Sequence, residues 1–229
     1  MRWGEQQDRL EAKTLDSIEE VSEFFGVEVP YYPEVYWIGK TVEFELLGLP
    51  KLYEDLFYLT KKSQSCILLR APRVILLGND HLSDVAEEAA HFSHLSNSKI
   101  GLKRKTPTDW LAMSIIIELF GFLGSKAVTP ERKNPYEGER DCLTLSGEEI
   151  GGVREEVQRK SGIEVMDVQQ TIIHSQGYGL AERIWRAEDF RNGLPPHLKK
   201  IFLKDFSSPF SAARTYLELK NRYWPASTR

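Results

Sequence analysis

The stretch DHLSDVAEEAAHFSHLSNS, residues 80–98, holds three of the five histidines of the chain together with four carboxylates. Apolar residues and alanines recur in it at helical spacing, which predicts one helix over residues 80–96. At about 100° per residue, the polar side chains of this helix fall within an arc of roughly 120°. This polar arc contains Asp84, Glu87, Glu88, His91 and His94, and the opposite side carries Val85, Ala86, Ala89, Ala90 and Phe92.

Two interpretations of the polar arc are open. It is either a solvated helix face or one wall of a metal site. Glu87 and His91 are i,i+4 neighbours, and Glu88 and His91 are i,i+3 neighbours, so either pair can converge on one ion. The alanines on the other side let this helix pack closely against a sheet or another helix.

The flanking sequence predicts a fold of the α+β class. Helices predominate, and a small antiparallel or mixed sheet comes before the helix of residues 80–96. The chain then continues into a helical C-terminal half. The predicted helices are 5–25, 41–62, 107–128, 147–162, 165–176, 178–193, 195–206 and 209–224; the predicted strands lie within 27–40, 65–70 and 73–78; a polar loop, the best candidate for a flexible insertion, covers 129–141.

Length and charge limit the classes of function. The 229 residues suffice for one large domain or two small ones. We expect one domain over 1–229; the alternative is a sheet-plus-helix part, 1–128, joined by the polar loop 129–144 to a helical part, 145–229. A net charge of −4 gives no general reason to bind nucleic acid or an anionic membrane, so neither is expected as a partner.

The sequence also predicts a cytoplasmic location. The N-terminal residues lack the apolar core of a signal peptide. The most apolar run, 110–124, is 15 residues long and contains Glu118, which makes it too short and too polar to span a bilayer. The two cysteines, Cys66 and Cys142, do not have the spacing of a zinc ribbon or a redox pair.

The strand RVILLG (73–78) followed by the helix HLSDVAEEAAHFSHL (81–95) resembles the core of zincin metallopeptidases of the gluzincin type, especially their small members. Those enzymes carry HExxH on the helix and a third ligand, a glutamate, on a later helix. The two histidines bind zinc, and the glutamate of the motif is the general base for the bound water. The five matching residues here are EEAAH, 87–91, and the resemblance covers about residues 65–130. It implies that Glu87 and His91 bind a metal and that Glu88 is the catalytic base.

This chain departs from the motif at its first histidine, which is replaced by Glu87. A carboxylate can bind zinc, so Glu87 and His91 could still hold zinc or another divalent metal. Each added carboxylate lowers the positive charge left on the ion and weakens its acidification of water. We therefore expect little or no peptidase activity, even with a metal bound.

Two positions compete for the third ligand that the resemblance implies. Glu118 lies 27 residues after His91 in an apolar helix, where an ionised carboxylate costs several kcal/mol unless it is paired or binds a metal. The segment GYGLAERIW (177–185) resembles the ligand helix of other gluzincins, but it has Tyr178 at the ligand position and Glu182 one turn later. His94 and Asp84 are further candidates, whereas His174 is interpreted as a capping or core histidine.

Three functions are compatible with these residues. The first is a zincin-like protein with an altered active-site motif, catalytically weak or silent, which binds a metal. The second is an active metallopeptidase with an atypical Glu/His/Glu site, and the third is a non-catalytic helical module for protein interaction. A peptide or a protein is the expected partner in each case, and the sequence does not indicate an oligomeric state.

Overall fold

The computed structural model describes residues 3–37, 66–68, 74–77, 81–98, 106–136, 141–161 and 168–224. Within these ranges the chain forms seven α-helices, one short 3-10 helix and three short strands. The elements are α1 (Trp3–Phe25), β1 (Glu34–Trp37), β2 (Cys66–Leu68), β3 (Val74–Leu77), α2 (Leu82–Asn97), α3 (Pro107–Val128), the 3-10 helix (Cys142–Thr144), α4 (Gly147–Ser161), α5 (Val168–Ala187), α6 (Pro196–Phe202) and α7 (Ser211–Tyr223).

The α+β class expected from the sequence is wrong, because the described part of the chain is predominantly helical. The three strands have only four, three and four residues; β3 pairs in parallel with β1 and antiparallel with β2. Helix α2 packs mainly on α1 and α3 and makes fewer contacts with β2 and β3. The helix predicted over 41–62 lies outside the described residues.

Helix α3 is the central helix of the described structure. It packs against α2, α5, α7 and α1, and apolar residues surround it on all sides, as in a buried helix. The side chain of Thr106 accepts a hydrogen bond from the backbone N–H of Asp109, which fixes the start of the helix. The Asp109 carboxylate in turn accepts hydrogen bonds from the N–H groups of Ala212 and Ala213, so it also anchors the start of α7.

Helix α3 is also the one helix in the described ranges that is long and apolar enough to cross a membrane, judged by length and composition. It has 22 residues, so the 15-residue apolar run counted in the sequence understated its length. In its most apolar window, however, 67% of the residues are buried within the protein. A helix that is buried within the protein to this extent is a core helix.

Helix α2 begins and ends close to the predicted limits of 80 and 96, but its surroundings differ from those expected. All residues from Val85 to Leu95 are buried, so the helix has no solvated face. Its main neighbours are α3 and α1, with fewer contacts to β2 and β3, whereas the sequence predicted packing on a sheet. A Cβ on Gly124 of α3 would lie only 2.4 Å from the Cβ of Ala90, which shows how closely the two helices approach.

The C-terminal half is predominantly helical where it is described, as predicted, with non-helical segments at 188–195 and 203–210 between its helices. The segments 165–176 and 178–193 were expected to form two helices, but a single helix, α5, runs through Gly177. A Cβ on Gly177 would lie 2.6 Å from the Cβ of Glu118 and 3.0 Å from the carbonyl oxygen of Ile115. The glycine therefore lets the backbone of α5 lie directly against α3 beside Glu118.

Candidate metal centre

The structure brings together three of the residues singled out in the sequence. Glu87 and His91 from α2 and Glu118 from α3 each offer one ligand atom, and these atoms lie within 4.8 Å of one another. The distance from His91 Nε2 to Glu118 Oε2 is 3.6 Å. Glu87 and His91 are buried, and the side chain of Glu118 is 17% exposed. This buried group could hold a metal ion.

The absence of a side chain at Gly121 leaves the space that the imidazole of His91 occupies. Gly121 lies three residues after Glu118 on α3, and a Cβ at this position would be 2.2 Å from Cε1 of His91. Glycine within a helix costs roughly 0.5–1 kcal/mol relative to alanine. The close contact explains why α3 contains glycine here, since any side chain would push the imidazole away from Glu118.

The charges of the cluster alter the acidity of its members. Burial alone would lower the pKa of His91, but Glu118, Glu88 and Glu87 outweigh it and raise this pKa to about 9. Burial would likewise raise the pKa of Glu118, but the charges of His174 and His91 outweigh it and lower this pKa. In the absence of a metal, the His91 imidazole and the Glu118 carboxylate therefore form an ion pair at neutral pH.

Glu88, the residue expected to be the general base, lies beside the three candidate ligands. Its side chain is buried, and Oε2 has no hydrogen-bond partner among the described residues. Burial raises the pKa of Glu88 to about 8; His91 opposes this increase, while Glu87 and Glu118 add to it. In the metal-free site this carboxyl group is therefore largely protonated at neutral pH, and a bound cation nearby would favour its ionised form.

Arg132 is the main residue of the site that the sequence did not reveal. Its Nη2 lies 2.5 Å from Glu87 Oε2 and 3.5 Å from Asp84 Oδ1, while its Nη1 donates to the carbonyl oxygen of Ser83 at 2.6 Å and to Oγ of Ser125. The side chain is only 10% exposed, although it belongs to the loop 129–141 that was expected to be a flexible insertion. Nothing in the local sequence distinguishes it, because its burial depends on the path of the loop.

His174 of α5 also belongs to the site, although it was expected to be a capping or core histidine. Its Nε2 lies 3.6 Å from Glu118 Oε2, the oxygen that His91 also faces. Its Nδ1 lies 2.8 Å from the carbonyl oxygen of Gln170. The ring of Tyr136 stacks on the imidazole with a centroid distance of 6.3 Å and an interplanar angle of 21°. In the sequence, the position of His174 one helical turn before the candidate ligand Tyr178 could have indicated that His174 lies at the site.

The remaining candidates have other roles. Asp84 pairs with Arg132, and Glu182 pairs with Lys126 at 3.2 Å and Arg186 at 3.7 Å. Tyr178 stacks on the ring of Phe122 at 4.4 Å and hydrogen-bonds Glu87; burial, followed by the charge of Glu87, raises its pKa well above the ordinary value. His94 is fully buried between two phenylalanine rings, those of Phe120 and Phe202.

Comparisons with models of known protein families, with curated proteins and with solved structures found no match to this chain. The resemblance to zincins therefore remains a hypothesis that depends on the residues of the site itself.

Proposed function

We propose that this protein is a zincin-like protein that binds a divalent metal ion, with zinc as the first candidate, and that it has little or no peptidase activity. The observation that carries this proposal is the convergence of Glu87, His91 and Glu118 from two packed helices. The three side chains would hold the ion through two carboxylate oxygens and one imidazole nitrogen, a donor set that suits zinc.

A polar atom without a partner supports a cation at this place. Oε1 of Glu87 is buried and has no hydrogen-bond partner among the described residues. A buried polar atom without a partner costs about 1–3 kcal/mol, and more if the group is charged. A divalent ion beside Glu87 and Glu118 would satisfy this acceptor atom.

Two features argue against peptidase activity. A bound zinc ion would supply the Lewis acidity that activates water in zincins, but two carboxylates among its ligands, Glu87 and Glu118, would leave less positive charge on the ion than the two histidines and one glutamate of those enzymes. Arg132 also places a fixed positive charge 2.5 Å from Oε2 of Glu87, so this carboxylate is shared between the guanidinium and the metal site. A zincin-like protein without hydrolytic activity would act by binding a peptide or another protein.

Zinc titration of the metal-free protein against a chromophoric chelator tests the proposal. We expect one zinc ion per chain and a loss of affinity of at least ~100-fold in His91→Ala or Glu118→Gln, more than the 10- to 100-fold typical of an outer-shell partner. His81→Ala, an exposed histidine at the start of the same helix, is the matched control. Glu87→His restores the HExxH pattern and should raise the affinity. Failure of the wild-type protein to bind zinc would refute the proposed metal site. Robust hydrolysis of a general peptide substrate would refute the proposed lack of peptidase activity.

A further inference from the structure

We propose that His174 is a fourth protein ligand of the metal centre, which would make it a closed, structural site rather than a catalytic one. The inference rests on the proposed function, because it specifies the coordination of the same site. Structural zinc sites have four protein ligands, whereas catalytic sites have three and keep a position open for water or substrate. The number of protein ligands therefore decides what the centre can do.

The first argument is distance. Nε2 of His91 and Nε2 of His174 each lie 3.6 Å from Oε2 of Glu118. Ligand atoms that lie about 2.0–2.2 Å from a tetrahedral zinc ion are about 3.3–3.6 Å from one another. The observed separations are thus longer than a normal hydrogen bond between nitrogen and oxygen and close to those between two ligands of one ion.

The second argument is the tautomer of His174. The carbonyl oxygen of Gln170 can only accept a hydrogen bond, so Nδ1 of His174 must carry a proton to donate to it across 2.8 Å. In the neutral imidazole this leaves the lone pair on Nε2, the atom that faces Glu118. A hydrogen bond from the second ring nitrogen to a backbone carbonyl is the usual support of a histidine that binds a metal. The stacked ring of Tyr136 further restricts the orientation of the imidazole.

The third argument is that the two carboxylate oxygens of Glu87 have different surroundings. Its Oε2 binds Arg132, while its Oε1 is buried without a hydrogen-bond partner in the described structure. One oxygen can therefore bind the ion while the other holds the guanidinium. Glu87, His91, Glu118 and His174 then provide four ligand atoms, two of them from imidazoles. His174 would thereby supply the second histidine ligand, which the motif lacks because its first histidine is replaced by Glu87.

The fourth ligand would join the other three by a small movement. His174 is not part of the group whose ligand atoms lie within 4.8 Å of one another, so its ring or the carboxylate of Glu118 has to rotate towards the ion. The side chain of His174 is 29% exposed, so such a rotation does not require the surrounding core to repack.

Cobalt and zinc binding to the full-length protein test this inference. In His174→Gly we expect a loss of zinc affinity of at least ~100-fold, and millimolar free imidazole should restore most of it by filling the vacated position. His81→Ala should keep the wild-type affinity with and without imidazole. In wild-type protein loaded with Co²⁺, azide should leave the visible spectrum unchanged because no open position exists, whereas azide should shift the spectrum of cobalt-loaded His174→Gly.

The outcomes separate this inference from the proposed function. Zinc binding that disappears in His91→Ala but is unchanged in His174→Gly would leave the metal site standing and remove His174 from it. An azide-induced shift in the wild-type cobalt spectrum would show an open position and would overturn the closed site without any variant. No zinc binding by the wild-type protein would overturn both proposals.

Discussion

Helix α2 places two histidines, three residues apart, in opposite environments. His91 faces the carboxylates of Glu118, Glu88 and Glu87, which raise its pKa to about 9 despite its burial. His94 is packed between aromatic rings. Burial and then the charge of His91 lower the pKa of His94 to about 3, against the opposing effect of the Phe202 backbone.

The comparison shows that the neighbouring helices decide the state of a buried histidine. Desolvation acts on both imidazoles and favours the neutral form. At His91 the neighbouring carboxylates reverse this effect, whereas the rings of Phe120 and Phe202 offer His94 no opposing charge. The helical arc that grouped the two histidines in the sequence could not distinguish them, because it contains no information about α3 or α6.

The largest expected effect is the acid sensitivity that His94 gives the fold. Its pKa is about 3 in the folded state and about 6.5 in an unfolded chain, so unfolding binds a proton at pH values between these limits. The stabilisation is fully present above pH 6.5 and is lost as the pH falls towards 3. At about 1.4 kcal/mol per pH unit, the full loss is on the order of 5 kcal/mol.

Replacement of the imidazole by a ring that does not titrate isolates this contribution. We expect His94→Phe to lose less stability than the wild-type protein when the pH falls from 7 to 4, as measured by urea unfolding at each pH. The difference between the two proteins is needed because Glu88 and Glu118 also titrate in this range. Parallel pH profiles of the two proteins would show that His94 is not buried in an apolar site.

The second effect concerns the polar side of the comparison, where Arg132 balances the carboxylates near His91. Arg132→Met leaves the buried carboxylate of Glu87 without its guanidinium, and breaking such a pair costs about 3 kcal/mol. Thermal or urea unfolding of the metal-free protein measures this loss. The second variant, Arg132→Met with Glu87→Gln, removes both charges and should recover part of the stability. Equal stability of Arg132→Met and wild type would contradict the contact.

Much of the local structure could be predicted from the sequence. The apolar pattern of residues 107–128 predicted α3 with the observed limits, and the isolated Glu118 within it indicated a buried carboxylate. The strand pattern also identified the short strands β2 and β3. The fold class was wrong because local patterns do not reveal that, among the described residues, seven helices far outweigh three short strands.

The parts of the site that could not be predicted depend on contacts between distant segments. Arg132 reaches Glu87 across 45 residues, and only the path of its loop distinguishes it from its charged neighbours. His174 reaches Glu118 from α5 because Gly177 allows the backbones to approach. A motif on one helix specifies the ligands of that helix, but not the side chains that other elements bring to it.

The smallest expected effect tests the close packing of the His91 imidazole against Gly121 of α3. In Gly121→Ala the new Cβ would lie 2.2 Å from Cε1 of His91, so the imidazole has to move away from Glu118. We expect a net destabilisation of about 1–2 kcal/mol, because the cost of overpacking exceeds the gain in helix propensity. Gly151→Ala is the matched control: it also lies within a helix but meets no atom within 4 Å, so it should stabilise the protein by up to ~1 kcal/mol.

Displacement of the ring in Gly121→Ala should also move the pKa of His91 down towards its ordinary value, which NMR titration of the imidazole can follow. If Gly121→Ala stabilises the protein as much as Gly151→Ala does and leaves the pKa of His91 near 9, the imidazole does not lie against α3, and the contrast between His91 and His94 loses its structural basis.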